Sequence, residues 1–134
     1  MNIDMQKFVD NLIANTKRRV TIWNKVNPKL HYNVTERLDT SDRVFEAYST
    51  TNKNDDVVVI GRAEHKVYTD EDEYYTTDYY FVTLTDPKYT EKVTFFEDDR
   101  EYGYQTFSVD LARLYRLIKL NYMNTDNKLK SFFD

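Results

Sequence analysis

His31 and His65 are the two side chains whose ordinary pKa lies near neutrality, so acid–base chemistry is sought there first. His31 precedes Tyr32, and His65 lies between Glu64 and Lys66. Neither has a second histidine within four residues, and neither His-x-Glu nor His-Glu-x-x-His occurs. Glu64 and His65 would look to opposite faces of a strand, so the adjacent pair cannot share a metal ion. Both histidines are read as structural or surface residues. Nucleophilic catalysis fares no better. None of Ser41, Ser49, Ser108 and Ser131 sits in a Gly-x-Ser-x-Gly elbow, and cysteine is absent. The missing cysteine also removes disulfides and every zinc site built on thiolates. Gly61 and Gly103 are the two glycines, too few for a phosphate-cradling loop. The expectation is a protein that is not an enzyme, with no cofactor and no metal.

Carboxylates are abundant, in two dense runs: Asp70-Glu71-Asp72-Glu73 and Glu97-Asp98-Asp99-Arg100-Glu101. A hard-cation site needs several acids to converge, whereas consecutive acids in a turn repel and solvate. The first run also departs from a calcium-binding loop, since Tyr74 stands at its fifth position and Tyr75 where glycine is required at the sixth. What sets these acids apart is the company they keep. Tyr68, Tyr74, Tyr75, Tyr79 and Tyr80 surround the first run and Asp78, while Tyr102 and Tyr104 follow the second. Tyrosine offers a large contact area at low entropic cost and is enriched at interfaces. It is also simply a good β former. The first property points to a protein-binding surface, aromatic at its centre and acidic at its rim, carried by Asp70, Glu71, Asp72, Glu73, Tyr75, Asp78, Tyr79, Glu97, Asp98, Asp99 and Tyr102. The second points to no more than a half-exposed sheet.

Charge is distributed unevenly. Residues 1–37 carry seven bases against three acids, and residues 111–134 carry five against two. Residues 70–110 carry twelve acids against three bases, while the whole chain is at −4. Such asymmetry orients a field across the folded surface. Bases cluster on Lys17, Arg18 and Arg19 and on Arg113, Arg116 and Lys119, where a solvated helix face accounts for them. The net negative charge opposes direct nucleic-acid binding. An acidic, aromatic-studded sheet could instead imitate nucleic acid and occupy the basic groove of an enzyme that handles it, an analogy of composition.

These residues need elements to hold them. Met5, Phe8, Val9, Leu12 and Ile13 recur with helical spacing and predict a helix over Asp4–Lys17, capped by Asn2 or Asp4. Val20–Trp23 reads as a short strand or extended arm, and Lys29–Asp42 as a loop. Four strands follow: Arg43–Thr51, Val57–Tyr68, Tyr74–Thr85 and Tyr89–Glu97, separated by polar turns too short for crossovers, hence antiparallel. Gly61 is read as a bulge. Leu111, Leu114, Tyr115, Ile118 and Tyr122 share one face of a second helix, with Ser108 as its cap. Asn124-Thr125-Asp126 stops it and begins a short last helix that would dock through Phe132 and Phe133.

The fold class is therefore α+β in one domain: an N-terminal helix, an antiparallel meander of four to five strands, and a C-terminal helix on the same sheet face. The expected core is Phe8, Leu12, Ile13, Trp23, Phe45, Val58, Ile60, Tyr80, Val82, Leu84, Phe95, Leu111, Leu114 and Ile118. Tyr75, Thr77, Tyr79 and Phe81 would lie on an open second face. At 134 residues the chain can bury a core without covalent staples, and its 16% aromatic content argues against disorder. It has no apolar run of membrane-spanning length, and Met1–Asp10 lacks the layout of a signal peptide. The richness in Tyr, Asn, Lys and Asp is that of an AT-rich coding sequence. The expectation is a small cytoplasmic protein of a low-GC bacterial host that binds a basic protein partner, of inhibitor, anti-defence or immunity type. The alternative is a small-ligand binder with an aromatic pocket between sheet and helices. Nothing in the sequence bears on oligomeric state.

Overall fold

The computed structural model describes residues 4–36, 42–96 and 108–134. It is an α+β fold. Helix α1 spans Met5–Lys17, with the Asp4 carboxylate accepting from the Lys7 backbone N–H at 2.9 Å and capping its first turn. The chain then places Trp23 in the core, its indole N–H donating to Thr16 Oγ1 at 3.0 Å. Strand β1 (Asn24–Lys25) follows, then a 3₁₀ turn over Pro28–Leu30. Next come β2 (Asp42–Thr51), β3 (Val57–Tyr68), β4 (Tyr74–Thr85) and β5 (Lys92–Phe96), and finally α2 (Ser108–Tyr122) and α3 (Thr125–Ser131). The sheet order is β1-β2-β3-β4-β5 with every neighbour antiparallel, a five-stranded meander. No helix among the described residues is long and apolar enough to cross a membrane.

Both helices α1 and α2 lie on one sheet face. Met5, Val9 and Ile13 of α1 and Leu111, Leu114, Tyr115 and Ile118 of α2 pack with Tyr48, Ile60, Val82 and Phe95. The first strand lies later than Val20–Trp23, at Asn24–Lys25, because Trp23 turns into the core and leaves the next residues to pair with Ser49 and Tyr48. Ser108 opens α2 as expected; its side chain lies outside the described residues.

The second sheet face is open at Tyr75 and Thr77 but covered at Phe81. The segment 26–36 crosses it as a strap, and Val26 and Val34 pack with Val44, Ala47, Val59, Ala63 and Phe81 in a second core. The strap is tied at its end by Glu36, whose carboxylate accepts from Thr94 N–H at 2.8 Å while its own N–H donates to Thr94 Oγ1 at 3.1 Å. Phe81, expected on an exposed face, is therefore fully buried. Gly61 is not a bulge. It pairs regularly with Phe81, whose ring lies over it so closely that a Cβ there would stand 2.2 Å from Cζ. The bulge falls instead on β2, between Val44 and Glu46, and ejects Phe45 to 43% exposure. Phe45 therefore leaves the expected core, and the Arg62 guanidinium sits 4.8 Å from its ring centre. The last helix forms, but it does not dock through its phenylalanines: Phe132 is 76% and Phe133 93% exposed.

Candidate functional site

The β3–β4 hairpin outruns the sheet that supports it. Pairing with β2 ends at Asp42 opposite His65, and pairing with β5 ends at Phe96 opposite Phe81, among the described residues. Beyond those points Lys66, Val67 and Tyr68 pair only with Thr76, Tyr75 and Tyr74. The turn closes through the Glu73 carbonyl, which accepts from Thr69 N–H at 2.9 Å and Asp70 N–H at 3.3 Å. The Asp70 carboxylate also accepts from Glu71 N–H at 2.7 Å, and Asp70, Glu71, Asp72 and Glu73 are all exposed. Alternation along the strands sorts the aromatics. Tyr68 and Tyr74 share the helix-side face, with ring centres 5.5 Å apart and the Lys66 ammonium 4.7 Å from the Tyr74 ring centre. Tyr75 projects from the other face and is 53% exposed.

The residues expected at the site thus separate. Asp70–Glu73 and Tyr75 meet at the tip. Asp78 lies lower and is ion-paired with Arg62 at 2.6 Å. Tyr79 is half-buried, its hydroxyl donating to Asp42 Oδ2 at 2.6 Å and its ring 5.7 Å from that of Phe96. Both are structural partners of the hairpin's root. Glu97, Asp98, Asp99 and Tyr102 lie outside the described residues. Sequence reasoning left Tyr68, Tyr74 and Lys66 out of the site. The period of two that places Glu64, Lys66 and Tyr68 beside Thr76 and Tyr74 was the available signal. These residues line an open cleft of about 560 Å³ together with Tyr32, Asp42 and Arg43. Arg43 pairs with Glu64 at 2.9 Å within it.

The histidines occupy the strap side. His65 Nδ1 bonds to Asp42 Oδ1, so Asp42 bridges His65 and Tyr79. This supplies the carboxylate that a histidine base requires. The lining of the neighbouring cleft includes Asp42 and not His65. His31 Nδ1 lies 3.2 Å from the Val44 carbonyl oxygen, which can only accept, so that nitrogen carries the proton. Burial lowers the His31 pKa and favours the neutral ring. Among the described residues no group of three or more His, Asp or Glu side chains could hold a metal ion.

On the helix side a carboxylate is buried. Glu46 accepts from Tyr115 at 2.6 Å and Tyr48 at 2.9 Å, and pairs with Lys119 at 3.1 Å and Lys25 at 3.2 Å. Burial alone would raise its pKa. The hydrogen bonds from Tyr115, Tyr48, Lys119 and Lys25 outweigh it and hold Glu46 at about 2. Burial and the adjacent carboxylate push both tyrosine hydroxyls well above their ordinary range. This network clamps β1, β2 and α2 together through the Glu46 carboxylate. Comparison with known protein families, curated proteins and solved structures finds no match to this chain.

Proposed function

We propose that this protein is a small non-enzymatic binding module that engages a basic protein partner through the tip of the β3–β4 hairpin. The observation that carries the reading is the unbroken exposed run over residues 68–78, in which Tyr68, Tyr74 and Tyr75 flank four carboxylates. Exposed aromatics in a folded chain are a cost unless something covers them, and here they are concentrated beside four consecutive carboxylates. The carboxylates would steer a basic surface onto the tip, and the rings would hold it there. An inhibitor, anti-defence or immunity-type protein acting inside a bacterial cell fits this design, including one that imitates nucleic acid toward an enzyme that binds it.

The test begins with the partner captured from the native host and then measures rates. Replacing Asp70 and Asp72 by Asn and Glu71 and Glu73 by Gln is expected to slow association roughly tenfold at physiological salt and to flatten its salt dependence. Tyr75→Ala is expected to speed dissociation with little change in association. An association rate that ignores the fourfold neutralisation would refute the reading. A second reading, a small-ligand site, is favoured by the open cleft where Tyr32, Tyr68 and Tyr74 converge. It requires a compound whose binding raises Tm and is lost in Tyr74→Ala, while the tip carboxylates make no difference.

A further inference from the structure

Helix α3 packs beside α2 without burying a single residue of its own. The two helices leave a groove of about 370 Å³ whose floor is Leu120, Met123, Leu129 and Phe132 and whose rim is Arg116 and Lys128. Lys119 also lines it, but its ammonium is committed to Glu46. Among the described residues no acid lines the groove. Asp126 of α3 is turned toward Arg19, 3.9 Å away. An apolar floor with a cationic rim calls for an occupant that is aromatic or aliphatic and acidic at once.

This chain carries such a segment at its other end. We propose that the α2–α3 groove receives the β3–β4 hairpin tip of a second copy of this chain, Tyr74 or Tyr75 on the floor and Asp72 and Glu73 against Arg116 and Lys128. The tip is a two-stranded ribbon, and its charge is the opposite of the rim's. It cannot fill the groove of its own chain. Lys119, which lines the groove, reaches Glu46 at 3.1 Å, and Glu46 is paired with Arg62. Tyr68 is six residues further along β3, about 20 Å at roughly 3.3 Å per residue. The contact is therefore between molecules and heterologous, tip into groove, so each added copy exposes a fresh tip and a fresh groove.

The test is the mass in solution by sedimentation velocity on the full chain, with circular dichroism to establish that each variant is folded. Near about 0.05 M salt the weight-average mass should rise with concentration above the 16.2 kDa monomer, and near about 0.5 M it should return to it, as screening removes the attraction. A groove-reversed chain (Arg116→Glu with Lys128→Glu) and a tip-reversed chain (Asp72→Lys with Glu73→Lys) should each be monomeric alone. Mixed in equal amounts they should associate again with the two chains alternating, because the unaltered tip of one fits the unaltered groove of the other and the reversed tip fits the reversed groove. A chain bearing all four reversals should associate again. A wild-type chain that stays monomeric at low salt overturns the proposal, as does association that survives either reversal. So does a monomeric chain that binds anionic vesicles through Arg116 and Lys128, which would make a lipid surface the occupant. The tip's binding to a foreign partner is read separately, by the association rate of the tip-neutralised chain, so either claim can fail alone.

Discussion

Glu46 is the residue where burial and charge oppose each other most directly. It is 8% exposed, yet four donors keep it ionised to a pKa of about 2, against 4.5 for the unperturbed side chain. Because the folded value is the lower one, the unfolded chain takes up the proton first on acidification. The stabilisation is complete above about pH 4.5 and is lost as pH falls toward about 2. Its size is up to about 3 kcal/mol. Glu46→Gln should cost about 2–3 kcal/mol at neutral pH and remove this part of the acid limb from a plot of unfolding free energy against pH. An acid limb of unchanged slope between about pH 4.5 and 2 would show that other carboxylates carry it. Nothing near Glu46 in the sequence announces this role. A lone acid between Phe45 and Ala47 in a β-prone stretch reads as outward-facing, and its partner Lys119 is 73 positions away.

At the scale of elements, legibility followed local periodicity. The bounds of β3 and β4 are those read from the sequence, because Val57-Val58-Val59-Ile60 and Tyr79-Tyr80-Phe81-Val82 are bounded by polar turns with nothing to bury. Helix α1 was legible from its apolar stripe and Asp4. Two features were not. One extra residue at Phe45 shifts the strand's parity, so Val44 and Ala47 share a face that strict alternation denies them. The strap has no period at all, since Val26 and Val34 are its buried anchors and most residues between them are exposed. Its consequence is the burial of Phe81 over Gly61, and that pair can be tested. Gly61→Ala puts a methyl group into the Phe81 ring, a contact between two central strands that neither backbone can yield cheaply. It should cost about 1–3 kcal/mol in urea unfolding. Phe81→Leu should make the same change cheaper, so the double variant should lose less than the two single variants summed. Full additivity would mean that the ring does not bear on Gly61.

Across the whole molecule the two cores end where the hairpin begins to project. Residues 69–78 contribute nothing buried, while both clusters draw on β3 and β4 below that level. The tip's acids and the groove's bases then lie far apart, and the sheet acts as a spacer between two surfaces of opposite sign. If the tip is an arm and not part of the core, it can be removed. Lys66 and Thr76 are directly opposite each other, so an Asn-Gly turn can join them in place of residues 67–75 without altering the register below. The shortened chain should unfold within about 0.5 kcal/mol of the wild type, the range expected of changes away from a core. Its net charge rises from −4 to zero with the loss of Asp70, Glu71, Asp72 and Glu73, so it should be less soluble near neutral pH. It should also lose both the salt-dependent capture of a basic partner and self-association. Destabilisation by more than about 2 kcal/mol would place the hairpin inside the cooperative unit, with Val67 as the residue through which it acts. Unchanged stability with intact partner binding would move the binding surface off the tip altogether.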